Sequence, residues 1–209
     1  STASWICLLN NDTVTTPGWL TEMLKVAESQ PQIGLINPTS NSLGFHPGRE
    51  SPESYAWSLK PLSGIWTELS TALGFCLFAR RSLFDRVGLL DESFGMGNFD
   101  DDDLSRRVKA IGLRCARACA SYVFHEEKAS FRSLPGWERA FEENRRLFEK
   151  RWGRRLRILA QGQVPEEALV ELVGQGHWIH LLSHGERLPH PLSSHAQLLF
   201  LGLEEKGWR

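Results

Sequence analysis

Apolar residues along the chain form short continuous runs that alternate with stripes at helical spacing. The run at residues 5–9 is too short for a helix, and its unbroken apolar character predicts a strand buried on both faces in a parallel sheet. Runs at 33–36 and 72–79 predict two further strands. A helical stripe lies between the first two runs and a short helix is predicted over 82–87, so the order of elements is that of an α/β fold.

Two longer helices are predicted by apolar residues on one helical face. The first begins at the acidic run of residues 100–103 and ends before Gly112. The second follows Pro135 and ends before Gly153. Between the second and third strands, residues 37–63 are rich in Pro, Ser, Gly and Asn, which predicts a long functional loop.

The character of the chain changes after about residue 160. Three segments with helix-like patterns follow, at 165–173, 176–183 and 194–206. They predict a helical extension over 161–209 behind a main domain over 1–160. The last segment is consistent with the start of a helical-repeat region.

Composition and charge exclude several classes of protein. The 209 residues include 24 Lys and Arg against 25 Asp and Glu, and this balance argues against nucleic-acid binding by bulk electrostatics. No apolar run reaches the roughly 20 residues that span a bilayer, and the N-terminus lacks a signal pattern. The four cysteines stand mostly in apolar segments, which favours reduced thiols and a cytoplasmic setting.

Four consecutive aspartates at residues 100–103 are the most distinctive polar feature. A helix N-terminus favours acidic residues, but four in a row exceed what capping requires. Like charges this close cannot all ionise easily, so at least one carboxyl should have a raised pKa and serve as a general base near neutrality. An over-capped helix in solvent is the structural alternative.

Three polar residues, Asn10, Asn11 and Asp12, follow the first predicted strand. Ligands of open α/β sheets gather outside the carboxyl ends of strands, where a carboxylate can hold a divalent cation that bridges phosphate oxygens. His125 follows another strand-like segment, and imidazole suits Mn²⁺-type sites that already contain a carboxylate. Asn and Asp are also ordinary turn formers, and most such histidines have purely structural roles, so both interpretations stay open.

Six short segments stand in a characteristic order along the chain. They are LLNNDT at 8–13, PTSN at 38–41, GFCL at 74–77, RR at 80–81, VGLLDESFG at 87–95 and GNFDDDDL at 97–104. Together they resemble the inverting family-2 glycosyltransferases of the GT-A fold, which is Rossmann-like. The similarity is greatest to the bacterial branch that decorates polysaccharides or proteins, and it covers about residues 4–153.

The resemblance implies roles for the residues after the first strand and for His125, which follows a later strand-like segment. Asn10, Asn11 and Asp12 match the family's DXD-type motif, which binds the nucleotide diphosphate through a metal. Asp12 and His125 match the residues of the metal shell, and the implied cofactor is a divalent cation, Mn²⁺ or Mg²⁺. The sequence departs from the motif at Asn10, where the family often has Asp.

The acidic run and one strand receive the remaining roles. Asp101 matches the catalytic base that deprotonates the acceptor hydroxyl. Asp100, a shorter acid, replaces the preceding Glu of the family, and the sequence leaves open which of the two carboxylates reaches the acceptor hydroxyl. Gly74 and Phe75 match the floor of the sugar and acceptor cleft. Two positions on the following helix, Asp103 and Arg106, are assigned to substrate binding.

The resemblance also implies partners. The donor is a nucleotide sugar, and the acceptor is a hydroxyl of a glycan, a lipid-linked molecule or a protein, at the cytoplasmic face of a membrane through peripheral association. The family's fold begins with a nucleotide-binding half that is missing before residue 5, so we expect an incomplete domain that binds sugar nucleotide weakly or not at all by itself. A non-catalytic glycosyltransferase-like interaction module joined to a helical repeat is the alternative.

Overall fold

The computed structural model describes residues 2–95, 97–126, 135–183 and 198–202. The chain divides into two compact units, residues 1–148 and 149–209, and the predicted boundary after residue 160 falls inside the second unit. The helices are α1 (Trp19–Ser29), α2 (Pro52–Ser58), α3 (Arg81–Val87), α4 (Asp100–Ala110), α5 (Trp137–Trp152) and α6 (Glu166–Gly174). The strands are β1 (Trp5–Leu9), β2 (Thr13–Thr15), β3 (Ile33–Thr39), β4 (Trp66–Leu69), β5 (Cys76–Arg80), β6 (Arg114–His125), β7 (Arg157–Gln161), β8 (Trp178–Ser183) and β9 (Leu198–Gly202).

The first unit is built on a mixed six-stranded sheet. The strand order is β1-β5-β3-β6-β2, and β4 also pairs with β6. Among the described strands, β3 and β6 are the parallel pair, and the other pairings in this sheet are antiparallel. The fold class is therefore α/β, as predicted, with a mixed rather than an all-parallel sheet.

Helices cover both faces of this sheet, because successive side chains of a strand point to opposite faces. Ile36 of β3 belongs to one core together with Met23 of α1. Its neighbour Leu35 belongs to the other core, together with Leu104 and Val108 of α4. All of these side chains are almost fully buried. The two cores fix β3 and β6 in the middle of the layer, and the polar residues that follow these strands are thereby placed at one end of the sheet.

The first strand differs from its prediction. β1 stands at the end of the strand order, pairs antiparallel with β5 and is only half-buried, with Leu9 43% exposed. Within the described residues β1 therefore does not show the predicted parallel pairing, because an apolar run alone does not fix the direction in which a strand pairs.

The stretch predicted as one long loop, residues 37–63, is largely ordered. It contains the end of β3, helix α2, and 3₁₀ turns at Asn41–Leu43 and Lys60–Leu62. Helix α2 forms because Ser51 caps it, with the hydroxyl accepting a hydrogen bond from the N–H of Ser54, and because Pro52 stands at the first helical position.

The second unit is not the predicted helical extension. It contains a parallel sheet of order β7-β8-β9, with α6 between β7 and β8. The helix predicted at 165–173 is confirmed as α6, but the segment at 176–183 forms β8 because its apolar residues Ile179 and Leu181 alternate and pack on α6. Of the helix predicted at 194–206, the described residues 198–202 form β9, and the rest lies outside the described residues.

The described helices include none that is both long enough and apolar enough to cross a membrane.

Candidate active site

Asp12 and His125 are brought together by the register of β2 on β6. Thr13 is paired with His125, so the residue before Thr13 lies beside the imidazole. The Nε2 atom of His125 is 3.1 Å from Oδ1 of Asp12, and the backbone N–H of Glu126 donates to the carbonyl of Asp12. The two side chains are 15% and 18% exposed, so the pair is partly shielded but open to a ligand.

The loop after β3 fixes the orientation of His125. The side-chain amide of Asn41 donates to the carbonyl of His125 at 2.8 Å, and its Oδ1 accepts from the N–H of the same residue at 2.8 Å. The hydroxyl of Ser42 is 2.9 Å from Nδ1. With Nδ1 accepting from the Ser42 hydroxyl, Nε2 carries the proton and donates to Oδ1 of Asp12. In the opposite tautomer Nδ1 donates to Ser42, and Nε2 presents the lone pair that a metal ligand needs.

A short segment before β5 lies beneath the site, and Asn37 of β3 holds it in place. Asn37 is fully buried, and its amide donates to the carbonyls of Leu73 and Cys76 while its Oδ1 accepts from the N–H of Leu73. Phe75 within this segment accepts a hydrogen bond from the N–H of Asn10 at 2.9 Å. Its ring stacks on the imidazole of His125, with ring centroids 5.4 Å apart. The segment therefore supports the Asp12–His125 pair directly.

The same segment contacts the acidic run. The N–H of Gly74 donates to Oδ2 of Asp101 at 2.8 Å, and the N–H of Asp102 donates to Oδ1 at 2.8 Å. Burial raises the pKa of Asp101 to about 7, the negative charge of Asp102 adds to the rise, and the Gly74 hydrogen bond opposes it. Burial also raises the pKa of Asp100. The predicted direction of the pKa shift is confirmed, but its largest cause is burial and not the repulsion between neighbouring carboxylates that the sequence suggested.

Helix α4 begins from a strained turn. Asn98 and Phe99 have φ values of 68° and 73°, a left-handed conformation that is uncommon for residues other than glycine. The ring of Phe99 packs against Phe141 and Phe148 of α5. The amide of Asn144 donates to the carbonyls of Phe94 and Gly97 at 2.7 and 2.8 Å. Helix α5 therefore stabilises the turn that positions the first residues of the acidic run.

A buried ion pair involves one of the two predicted substrate-binding residues of α4. Asp103 is 1% exposed, and its Oδ2 accepts a hydrogen bond from Nε of Arg107 at 2.8 Å. Arg107 also donates to the carbonyl of Leu89 at 2.8 Å, so the pair anchors the turn after α3. A structural role accounts for Asp103, and its contact with a substrate stays a prediction without geometric support. Arg106 is half-buried on the same helix.

The residues that precede Asp12 are exposed. Asn10 and Asn11 form the turn between β1 and β2, and the hydroxyl of Thr13 donates to the carbonyl of Asn10 at 2.7 Å. Their side-chain amides are accessible at the same end of the sheet as Asp12. Their binding of a nucleotide stays a prediction.

The donor set fits a divalent cation in part. Asp12 and His125 place one carboxylate and one imidazole side by side, and the described residues contain no cluster of three or more His, Cys, Asp or Glu that would enclose a metal by itself. Mg²⁺ and Mn²⁺ that act on phosphates are commonly held by one or two protein ligands, with substrate oxygens and waters completing the shell. The pair matches that kind of site and not a closed structural metal site.

Sequence reasoning assigned no role to four of the supporting residues, Asn37, Asn41, Ser42 and Asn144. The first three follow or end the buried strand β3, and polar residues at the carboxyl end of a central strand are a usable signal for a site. Asn144 stands in a charged stretch of α5, and no sequence pattern marks it.

No protein-family model matches the chain. Among curated proteins, it is similar to the uncharacterized protein y4gI of Sinorhizobium fredii, with 26% identity over 168 residues, or 70% of this chain and 18% of that protein. It is also similar to the O-antigen biosynthesis protein RfbC of Myxococcus xanthus, with 29% identity over 148 residues, or 61% of this chain and 11% of that protein. The chain thus spans less than a fifth of the length of these curated relatives.

Proposed function

We propose that this chain carries the catalytic side of a metal-assisted, inverting glycosyltransferase of the GT-A type. The proposal rests on one observation: two adjacent residues of one segment contact the acidic run on one side and the Asp12–His125 site on the other. Gly74 donates to Asp101, while Phe75 accepts from Asn10 and stacks on His125. The similarity to an O-antigen biosynthesis protein supports a role in building polysaccharides.

The acceptor side of the reaction falls to the acidic run. A carboxylate at Asp101 takes the proton of the acceptor hydroxyl, and the hydroxyl oxygen forms a bond to the anomeric carbon of the donor sugar. The bond between that carbon and the diphosphate breaks, and the diphosphate leaves with the electron pair. Attack from the face opposite the leaving group inverts the anomeric configuration. Asp101 suits this task because its pKa of about 7 leaves a basic carboxylate available near neutral pH.

The donor side falls to Asp12 and His125, which would hold Mg²⁺ or Mn²⁺. When bound, such a cation neutralises the charge that develops on the diphosphate. Ser42 and Asn41 keep the imidazole oriented. Asn10 and Asn11, which are exposed beside Asp12, would contact the nucleotide. We propose that a preceding segment of the same protein holds the base and ribose, and that the acceptor is part of a surface glycan or its lipid-linked precursor.

The test is transfer by the whole protein from a panel of nucleotide sugars, with Asp101→Asn and Asp12→Asn beside the wild type. We expect a product of inverted anomeric configuration by NMR, and a loss of at least about 100-fold in rate for Asp101→Asn. Asp85→Asn, in an exposed position on α3, is the matched control. Full activity of Asp101→Asn would move the base to another residue such as Asp100, and a product of retained configuration would contradict the proposed chemistry. No transfer by the wild-type protein would favour the alternative, a non-catalytic interaction module.

A further inference from the structure

A turn without secondary structure of its own connects the two parts of the candidate site. Residues 72–75 belong to neither a helix nor a strand. They contact Asp101 through the N–H of Gly74, and they contact the imidazole of His125 through the ring of Phe75. The backbone groups of such a turn have no partners in a helix or sheet, so its geometry depends on whichever groups satisfy them. The residue that holds this turn therefore sets both contacts.

One carboxamide makes three of the hydrogen bonds that hold the turn. Nδ2 of Asn37 donates to the carbonyl of Leu73 at 2.9 Å and to the carbonyl of Cys76, while Oδ1 accepts from the N–H of Leu73 at 2.7 Å. Both amide hydrogens and the amide oxygen are used, and no hydroxyl or carboxylate offers that set of groups. Asn37 is 0% exposed, so its loss would leave buried backbone groups unsatisfied.

The position of Asn37 on β3 explains its reach. The preceding residue, Ile36, is paired with Phe78 of β5, so Asn37 lies level with the start of that strand. On its other side Asn37 is paired with Arg117 of β6. Because β3 is packed between two buried cores, it is a rigid support for the turn.

We infer that Asn37 is a positioning residue that fixes the place of Asp101 relative to the Asp12–His125 pair. Its part in the reaction rests on the proposed function. The side-chain hydrogen bonds of Asn37 go to Leu73 and Cys76, so it acts through the turn and not on a substrate. Because the residues that contact Asp101 and His125 are adjacent in the turn, loss of the amide should disturb both contacts together.

The experiment is a pH titration of the 209-residue chain by NMR. The carboxyl carbon of Asp101, assigned with Asp101→Asn, reports its ionisation, and the ring protons of His125 report the stacking on Phe75. Neither signal requires a cation, a donor or turnover. Asn37→Leu retains a similar volume, which keeps water out, but removes all three hydrogen bonds.

Two changes are expected in Asn37→Leu. The titration midpoint of Asp101 should rise by about 0.5 pH unit or more, because the Gly74 hydrogen bond that favours the ionised carboxylate is weakened. The ring protons of His125 should move downfield, because the stacked ring of Phe75 no longer shields them.

A second variant and a control complete the set. Asn37→Ser retains a hydroxyl that can make one of the three bonds, so it should show smaller changes in the same directions, and it decides the question if Asn37→Leu does not fold. Ser121→Ala is the matched control, because Ser121 is 0% exposed and its hydroxyl donates to the carbonyl of Trp19 at 2.8 Å, away from the turn. It should lower stability and leave both signals unchanged.

Unchanged signals in the folded Asn37 variants would overturn the inference, as would a change at only one of the two sites or equal changes in Ser121→Ala. A transfer assay on the same proteins separates the inference from the proposed function. If the wild type transfers no sugar but both signals move in the Asn37 variants, the positioning role stands and the transferase proposal falls. If the wild type transfers sugar and the variants retain its rate and its signals, the transferase proposal stands and the inference falls.

Discussion

The N–H of Gly74 donates a hydrogen bond to Oδ2 of Asp101, and the two atoms are 2.8 Å apart. This bond connects the start of α4 to the segment before β5, whose next residue, Phe75, stacks on His125. Two opposing effects meet at the carboxyl: burial raises its pKa and the Gly74 hydrogen bond lowers it, with a net value of about 7. Small changes at either residue should therefore move a titration that lies in the physiological range.

The pH dependence of the transfer rate should follow the ionisation of the Asp101 carboxyl. Because the basic form of this carboxyl is needed, kcat/KM should rise with pH and level off above about pH 7, the pKa of the group. The residual activity of Asp101→Asn should not show this rise with pH. A rate profile for the wild type that is flat between pH 5 and 8 would assign the base to another residue.

The stability of the fold should depend on pH with a defined sign. The folded pKa of Asp101 is raised above its unfolded value, so the folded state binds the proton more tightly and its contribution is lost as pH rises through about 7. From pH 5 to pH 8 this group should lower the free energy of unfolding by roughly 2–3 kcal/mol.

Urea unfolding at the two pH values measures this effect, and Asp101→Asn should show a smaller loss of stability over the same range than the wild type does. Asp85→Asn should retain the wild-type difference. An Asp101→Asn protein with the full wild-type pH dependence would show that the raised pKa does not belong to this carboxyl.

Replacing Gly74 by Ala should change the pKa of Asp101 more than it changes the stability of the protein. A Cβ there would lie 3.4 Å from Oδ2 of Asp101, a contact that needs little movement, so the loss of stability should stay below about 1 kcal/mol. The methyl group excludes water from the carboxylate, which should shift the rate profile to higher pH.

Gly34→Ala is the control for that variant. Its Cβ would stand 2.6 Å from Cγ1 of Val108 in the core between β3 and α4, so it should destabilise the protein clearly while leaving the pH profile in place. If both variants shift the profile alike, the Gly74–Asp101 contact has no special role in setting the pKa.

Local sequence features predicted the helix start at the acidic run and the turn after β1 better than they predicted the pairing of the strands. The acidic run at a helix start and the polar turn after an apolar strand were recognisable because each is encoded within a few adjacent residues. The antiparallel pairing of β1 was not, because its partner β5 lies some 70 residues later. The same limit explains β8, whose apolar residues fit a helix or a strand until β7 supplies a partner.

The supporting residues were the hardest to foresee. Asn37 and Asn41 act through backbone groups that are distant in sequence, at Leu73 and at His125. An asparagine that satisfies a remote backbone group has no spacing rule, so only the three-dimensional arrangement reveals it.

Cation binding should depend on the ring nitrogen of His125 that faces Asp12, and not on the stacking of its ring on Phe75. His125→Phe retains an aromatic ring to stack on Phe75 but removes the Nε2 atom beside Asp12, so Mn²⁺ affinity in the presence of a nucleoside diphosphate should fall at least about tenfold with little change in stability. Electron paramagnetic resonance of Mn²⁺ measures the free and bound cation directly.

His46→Gln is the control for cation binding, because His46 is exposed and lies in the same loop region as Ser42. It should bind Mn²⁺ as the wild type does. Unchanged Mn²⁺ affinity in His125→Phe would remove His125 from the metal shell and leave Asp12 as the protein ligand.

Arg107→Ala should destabilise the first unit without changing the titration of the site. The guanidinium pairs with Asp103 at 2.8 Å and donates to the carbonyls of Val87, Gly88 and Leu89, so its removal leaves a carboxylate that is 1% exposed without its cation. Breaking a buried ion pair in this way costs about 3–5 kcal/mol. Thermal or urea unfolding measures this loss of stability.

Two further variants serve as controls. Arg86→Ala, exposed at the end of α3, should be close to neutral. Arg107→Lys retains the charge but not the planar fork, so it should fall between the two. If Arg107→Ala instead retains stability but weakens substrate binding, the pair belongs to the substrate site and the structural assignment of Asp103 is wrong.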